Sequence, residues 1–142
     1  MEELQEKSLH PPSAPAVAAA TKTQFSDLDP VVQLAVRSAS EKKASDLLVM
    51  DLRQIASFAE FFIIATGANQ RQVQAVSDEI EEQLKKQLST RPIRIEGYSS
   101  AEWILMDYGD FIVHIFNKEA REFYDLERLW RDGGKVALPD EL

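Results

Sequence analysis

The amino-acid sequence predicts a single α/β domain in which helices flank a mixed sheet of about five strands. Apolar runs of strand length alternate with stretches whose apolar residues recur at helical spacing. Strands separated by helices favour parallel pairing, whereas the tight turn of Gly109 and Asp110 between the last two runs requires an antiparallel hairpin. The length of 142 residues fits one hydrophobic core and is too short for two.

Helical spacing of apolar residues, together with start and stop signals, predicts three longer helices. They cover residues 30–43, 69–88 and 118–130. In the last of them, Phe123, Leu126 and Trp130 share one face. Ser57 and Glu60 have the spacing of a capping box, which predicts a further, very short helix.

Short runs of β-branched, aliphatic and aromatic residues predict the strands. They cover residues 47–52, 61–65, 93–96, 103–108 and 111–116. Most of these runs are apolar on both faces, so they are expected to lie inside the sheet with layers above and below. The predicted element order is α, β, β, α, β, β, β, α.

The ends of the chain are predicted to be tails around a folded domain of residues 25–132. Residues 1–24 lack a clear apolar period, and residues 133–142 follow a pair of helix-ending glycines. Neither tail is expected to contribute to binding. The acidic start lacks the basic character of import signals, and no apolar run reaches the roughly 20 residues that span a bilayer. A cytoplasmic protein with no membrane partner is therefore expected.

The net charge of the chain indicates which classes of partner are favoured. A net charge of −8 and a pI near 4.8 repel phosphate backbones, so sequence-specific nucleic-acid binding is not expected. The same field attracts basic proteins and accelerates their association. From the charge alone, simple solubility is the favoured explanation.

The sequence does not assemble a catalytic or metal-binding group. Cysteine is absent, and the two histidines lie in the tail and in a predicted strand, so no metal or cofactor is predicted. His114 is expected to be hydrogen-bonded in or near the core rather than to act as a base. Asp107 and Asp110 have two interpretations, paired carboxylates or turn residues. Trp103 also has two, as an interface anchor or as part of the core.

Six segments together resemble the Iojap or ribosomal silencing factor family, across about residues 31–131. They are residues 46–52 (DLLVMDL), 57–67 (SFAEFFIIATG), 71–76 with Asp78 and Glu79, 96–97 (EG), 103–116 (WILMDYGDFIVHIF) and 121–130 (REFYDLERLW). The last two blocks are the most specific in order and spacing.

The resemblance implies a nucleotidyltransferase-like fold without transferase activity, and a homodimer in isolation. It also implies binding to the fourteenth protein of the large ribosomal subunit, exclusion of the small subunit, and repression of translation under nutrient limitation in the bacterial cytoplasm. By the family pattern, the docking role falls on Trp103, Asp107, Tyr108, Gly109 and Asp110.

Two other classes compete with this interpretation. An active nucleotidyltransferase would carry Gly-Ser at a helix start and an Asp-x-Asp or Asp-x-Glu pair on the next strand, whereas this chain has Gly67 followed by Ala68. A generic dimeric adaptor is the second alternative.

Overall fold

The computed structural model describes residues 3–11 and 23–142. The five predicted strands and the three longer predicted helices are present, the last of these helices in two parts, and there are additions at both ends of the chain. The helices are α1 (Glu3–Ser8), α2 (Pro30–Glu41), α3 (Gln70–Leu88), α4 (Lys118–Tyr124) and α5 (Leu126–Leu129). The strands are β1 (Ser45–Asp51), β2 (Phe61–Gly67), β3 (Arg94–Glu96), β4 (Trp103–Asp107), β5 (Phe111–Asn117) and β6 (Gly134–Val136).

The strands form one mixed six-stranded sheet in the order β3-β4-β5-β2-β1-β6. β2 and β5 pair in parallel at its centre, and the other neighbours are antiparallel. This confirms the α/β domain with a mixed sheet. The sequence predicts about five strands and misses β6, because three residues with a single buried valine give no recognisable alternation.

Two long helices cover one face of the sheet. α2 and α3 supply small and aliphatic residues to its larger apolar cluster, including Ala35, Val36, Val73 and Ile80. α3 begins where predicted, with the Asn69 side chain accepting a hydrogen bond from the Gln72 backbone N–H at 2.8 Å. This layer holds the sheet rigidly from one side.

Short segments cover the opposite face, which we call the aromatic face. It contains Phe62, Trp103, His114 and Phe116, whose rings lie within about 6 Å of one another in pairs. The covering segments are α1, residues 52–60, α4 and α5, which supply residues such as Leu4, Ala59 and Leu126 to its buried cluster. No described helix on this side is longer than seven residues.

The last predicted helix is divided in two. Asp125 adopts φ 49° and ψ 55°, a left-handed conformation that ends α4 and precedes α5. The change of direction leaves Phe123 80% exposed while Leu126 and Trp130 are buried, so the prediction that the three residues share one face of a helix is wrong. The short helix predicted at residues 57–60 is also absent; these residues form bends that pack Ala59 against the sheet.

The predicted tails contain regular structure. Residues 3–8 form α1, and residues 134–136 form β6, which pairs with β1 and buries Val136. The boundaries predicted at residues 24 and 133 therefore do not mark the ends of ordered elements. Residues 12–22 of the predicted N-terminal tail lie outside the described residues.

Candidate functional site

Strand β4 positions the two ends of the predicted docking site. Side chains alternate along a strand, so Trp103, Leu105 and Asp107 point to the same face of the sheet. At a rise of about 3.3 Å per residue, Trp103 and Asp107 lie about 13 Å apart. The five predicted residues therefore form a turn at one end of β4 and an indole at the other.

Trp103 lies in the core of the aromatic face and is only 4% exposed. Its indole N–H donates a hydrogen bond to Nδ1 of His114 at 3.0 Å. The rings of Tyr124 and Phe116 lie 4.7 and 5.1 Å from its own ring. The sequence allows two interpretations of Trp103, and in the free chain the side chain is part of the core.

His114 is fully buried beneath this indole. Burial lowers the pKa of its imidazole to about 3, so the ring is neutral at physiological pH. Because Nδ1 accepts from Trp103, the proton of the neutral ring is on Nε2, for which the described residues offer no hydrogen-bond partner. The histidine is a structural acceptor for Trp103, in agreement with the prediction.

The turn at the far end of β4 is held by its own polar groups. Oδ1 of Asp107 accepts the Gly109 N–H at 2.8 Å, and Nε of Arg94 lies 3.6 Å from Oδ2 of the same carboxylate. Gly109 has φ 89°, a conformation that favours glycine. Asp110 is exposed, and its carbonyl accepts the Glu60 N–H at 2.6 Å. The turn therefore carries the exposed residue Asp110, and the exposed residue Glu60 is bonded to it through the backbone.

Tyr108 belongs to the opposite side of this turn. Its ring stacks on Phe111 at 5.0 Å between centroids, and its hydroxyl is buried without a hydrogen-bond partner among the described residues. Burial, with a smaller contribution from Glu81, raises the pKa of this hydroxyl. Its place beside the larger apolar cluster makes it a support for the turn more than a contact surface.

The structure places further residues beside Trp103 that were not assigned to the docking site from the sequence. Glu96 is 4% exposed on β3, and its carboxylate accepts the Gln5 N–H at 3.2 Å. Gly97 has φ 79°, and a side chain there would overlap the Trp103 carbonyl oxygen. The Glu-Gly pair of the family resemblance thus lies directly beside Trp103. Gln5 gave no signal in the sequence because α1 has only one large apolar residue, Leu4.

The described residues contain no group of three or more histidine, cysteine or carboxylate side chains placed to hold a metal ion. None of the described helices is long and apolar enough to cross a bilayer. The polar groups at the site instead bond one another and the backbone. The arrangement can bind a partner through a surface of complementary shape and through negative charge.

Fold and site together define a small α/β domain with a layered mixed sheet and an acidic turn beside an aromatic cluster. Residues 26–142 match the family described as "Ribosomal silencing factor during starvation". The chain therefore belongs to the ribosomal silencing factor family, whose role lies in ribosome-related regulation.

Individual relatives agree with this membership. The ribosomal silencing factor of Halalkalibacterium halodurans is 39% identical over 108 residues, which cover 76% of this chain and 92% of that protein. A crystal structure of a protein from Chromobacterium violaceum is 31% identical with a TM-score of 0.69, covering 78% of this chain and 88% of that one. A mouse protein named "Mitochondrial assembly of ribosomal large subunit protein 1" is 28% identical over 106 residues, covering 73% of this chain and 45% of that protein.

Proposed function

We propose that this chain binds the large ribosomal subunit through its fourteenth protein, blocks joining of the small subunit, and thereby represses translation under nutrient limitation. Family membership supports a ribosomal target, and the name of the mouse relative supports the large subunit. The net charge of −8 favours a basic ribosomal protein over bare RNA as the point of contact.

The single observation that carries the site is the acidic turn at the end of β4. Asp110 is exposed, the exposed Glu60 is bonded to it through the backbone, and the buried Asp107 accepts the N–H of Gly109, which precedes Asp110 in the turn. Exposed carboxylates on a rigid turn form charge-assisted hydrogen bonds with lysine or arginine at little entropic cost. We assign the docking contacts to this turn, with Tyr108 and Trp103 supporting it from either side of the sheet.

The proposed mechanism is steric: the protein has to bind and to occupy space, and no chemical step is involved. A 16.1 kDa protein on the surface that meets the small subunit occupies the space that the small subunit needs. Inhibition then follows the occupancy of the large subunit, and translation resumes when the protein dissociates. We also propose that the free protein is a homodimer in the bacterial cytoplasm, for which light scattering should give twice the chain mass.

The first test is sedimentation of the protein through a sucrose cushion with large subunits, small subunits and joined ribosomes. Wild type should pellet with large subunits only and should lower the yield of joined ribosomes when both subunits are mixed. Failure to pellet with large subunits would refute the proposed function.

The site is tested by reversing one exposed charge. Asp110→Lys should weaken large-subunit binding about tenfold or more, because it turns an attraction into a repulsion at the contact. Glu41→Lys is the matched control, since it makes the same change in net charge at an exposed position of α2, on the other side of the sheet. Equal binding by both variants would mean that the docking surface lies elsewhere on the protein. Trp103 is a poorer probe because replacing a buried indole destabilises the fold.

A further inference from the structure

Helix α1 lies on the aromatic face, beside the strand that carries the proposed docking site. Its Leu4 belongs to the same buried cluster as Trp103, Leu105 and Trp130. Lys7 lies over the ring of Phe58, with Nζ 5.8 Å from the ring centroid. The N-terminal segment therefore covers the face between β3, β4 and α5.

Three buried hydrogen bonds hold α1 in this place. The Gln5 backbone N–H donates to Glu96 Oε1 at 3.2 Å, and the Gln5 side-chain amide donates to the Trp103 carbonyl at 3.0 Å. The indole N–H of Trp130 donates to the Ser8 carbonyl at 2.7 Å. The two bonds of Gln5 join α1 to the surroundings of the predicted anchor Trp103, and the bond of Ser8 joins it to Trp130 in the same apolar cluster.

The attachment is small. α1 has six residues, fewer than a helix needs to persist alone in water, so it exists only while it is docked. It buries Leu4, Gln5 and Ser8, while Glu3, Glu6 and Lys7 remain exposed. The Glu3 contact with Arg94 is long, 3.8 Å, and lies in solvent. Few interactions therefore hold α1 on the sheet. We call the arrangement with α1 docked the closed state and the arrangement with α1 released the open state.

We propose that α1 occupies, in the free chain, part of the surface that a large-subunit ribosomal protein takes on binding, and that this partner displaces it. The inference rests on the proposed function. It reconciles the family pattern, which assigns docking to Trp103, with a structure in which that end of β4 is covered.

The contacts of α1 define what the partner must supply. Displacement removes an apolar side chain, an N–H donor to Glu96, a donor to the Trp103 carbonyl and the Ser8 carbonyl that accepts the Trp130 indole N–H. Glu96 retains its contact with Arg94, whose Nη1 lies 3.9 Å from Oε2, but the nearly buried carboxylate loses the Gln5 donor, so a partner that supplies a replacement donor is favoured. A segment with an apolar side chain next to a lysine or arginine meets these demands, and basic ribosomal proteins are rich in such segments.

Closure of α1 lowers the apparent affinity. A partner that binds only the open state has an apparent Kd raised by the inverse of the open fraction. Weakening α1 should thus tighten binding without any change in the partner's own contacts.

The test compares large-subunit binding by full-length variants. Leu4→Ser with Gln5→Ala removes the apolar contact and the side-chain amide, and it should lower the Kd about tenfold. The control is Glu6→Ala with His10→Ala, which truncates two side chains that pair with each other on the solvent side of α1. The control should bind like wild type. Thermal unfolding of each variant confirms that residues 23–142 remain folded.

A second measurement follows α1 directly. Amide hydrogens of residues 5–9 should exchange faster when wild type is bound to large subunits than when it is free. Unchanged or weaker binding by the Leu4 and Gln5 variant, or slower exchange in the complex, would refute displacement while leaving the proposed function intact. If no variant binds large subunits, the proposed function and this inference both fail.

Discussion

At the scale of single residues, the hydrogen bond between Trp103 and His114 links the charge state of the core to its stability. An imidazole with a pKa of about 3 in the folded chain is protonated near 6.5 once the chain unfolds. The folded pKa lies below the unfolded one, so protons favour the unfolded state. The stabilisation from neutral His114 is complete above pH 6.5 and is lost as the pH falls toward 3.

This linkage predicts a pH-dependent stability that one substitution removes. Between pH 6.5 and about 4, wild type should lose about 1.4 kcal/mol per pH unit more than His114→Gln. Glutamine retains an acceptor for the indole and does not titrate. Urea unfolding at several pH values measures the difference, and parallel curves for the two proteins would contradict it.

Two glycines test how tightly β4 is enclosed. Gly97 and Gly109 both have positive φ, 79° and 89°, so alanine is strained at either position. At Gly97 the new methyl group would also overlap the Trp103 carbonyl oxygen, whereas at Gly109 it meets the Ile93 side chain at 3.4 Å. Gly109→Ala should cost about 1 kcal/mol of unfolding free energy and Gly97→Ala about 3 kcal/mol or more. Similar losses in chemical denaturation would show that the overlap at Gly97 is easily relieved.

At the scale of elements, the helices and strands whose sequence pattern repeats over many residues are predicted correctly. The long apolar stripe of α3 and the continuous apolar runs of β2 and β5 are found within one or two residues of their predicted ends. Two short elements, α1 with six residues and β6 with three, are missed. Such elements are stabilised by contacts distant in sequence, for example Val49 with Val136, which no local period reveals.

The same limit applies to the site. The turn residues Asp107, Gly109 and Asp110 are recognisable from turn chemistry and family resemblance. The burial of Trp103 is not, because it depends on Tyr124 from α4 and on α1. A tryptophan at a strand start has the same appearance in sequence whether or not another segment covers it.

Strand β6 provides a prediction at this scale. Val136 is 4% exposed and pairs with Val49, so Val136→Ala should lower the unfolding free energy by about 2 kcal/mol. The neighbouring Lys135 is exposed, and Lys135→Ala should change it by less than about 0.5 kcal/mol. Equal effects in urea unfolding would mean that residues 133–142 behave as the tail that the sequence suggested.

At the scale of the whole molecule, the net charge of −8 should govern how quickly a basic partner is found. Raising monovalent salt from about 50 to 200 mM shortens the Debye length and should slow association with large subunits several-fold, with little change in dissociation. Stopped-flow measurements at constant magnesium separate the two rates. An association rate that does not depend on salt would show that charge does not accelerate binding.

The bond between Ser8 and Trp130 joins residues 122 positions apart. During synthesis the residues of α1 are made before Trp103 and Trp130, to which they bond. The N-terminal helix therefore has nothing to pack against until Trp130 has been made and the strands of the aromatic face have folded. Docking of α1 is thus a late event in the folding of each new molecule, although its residues are made before those strands.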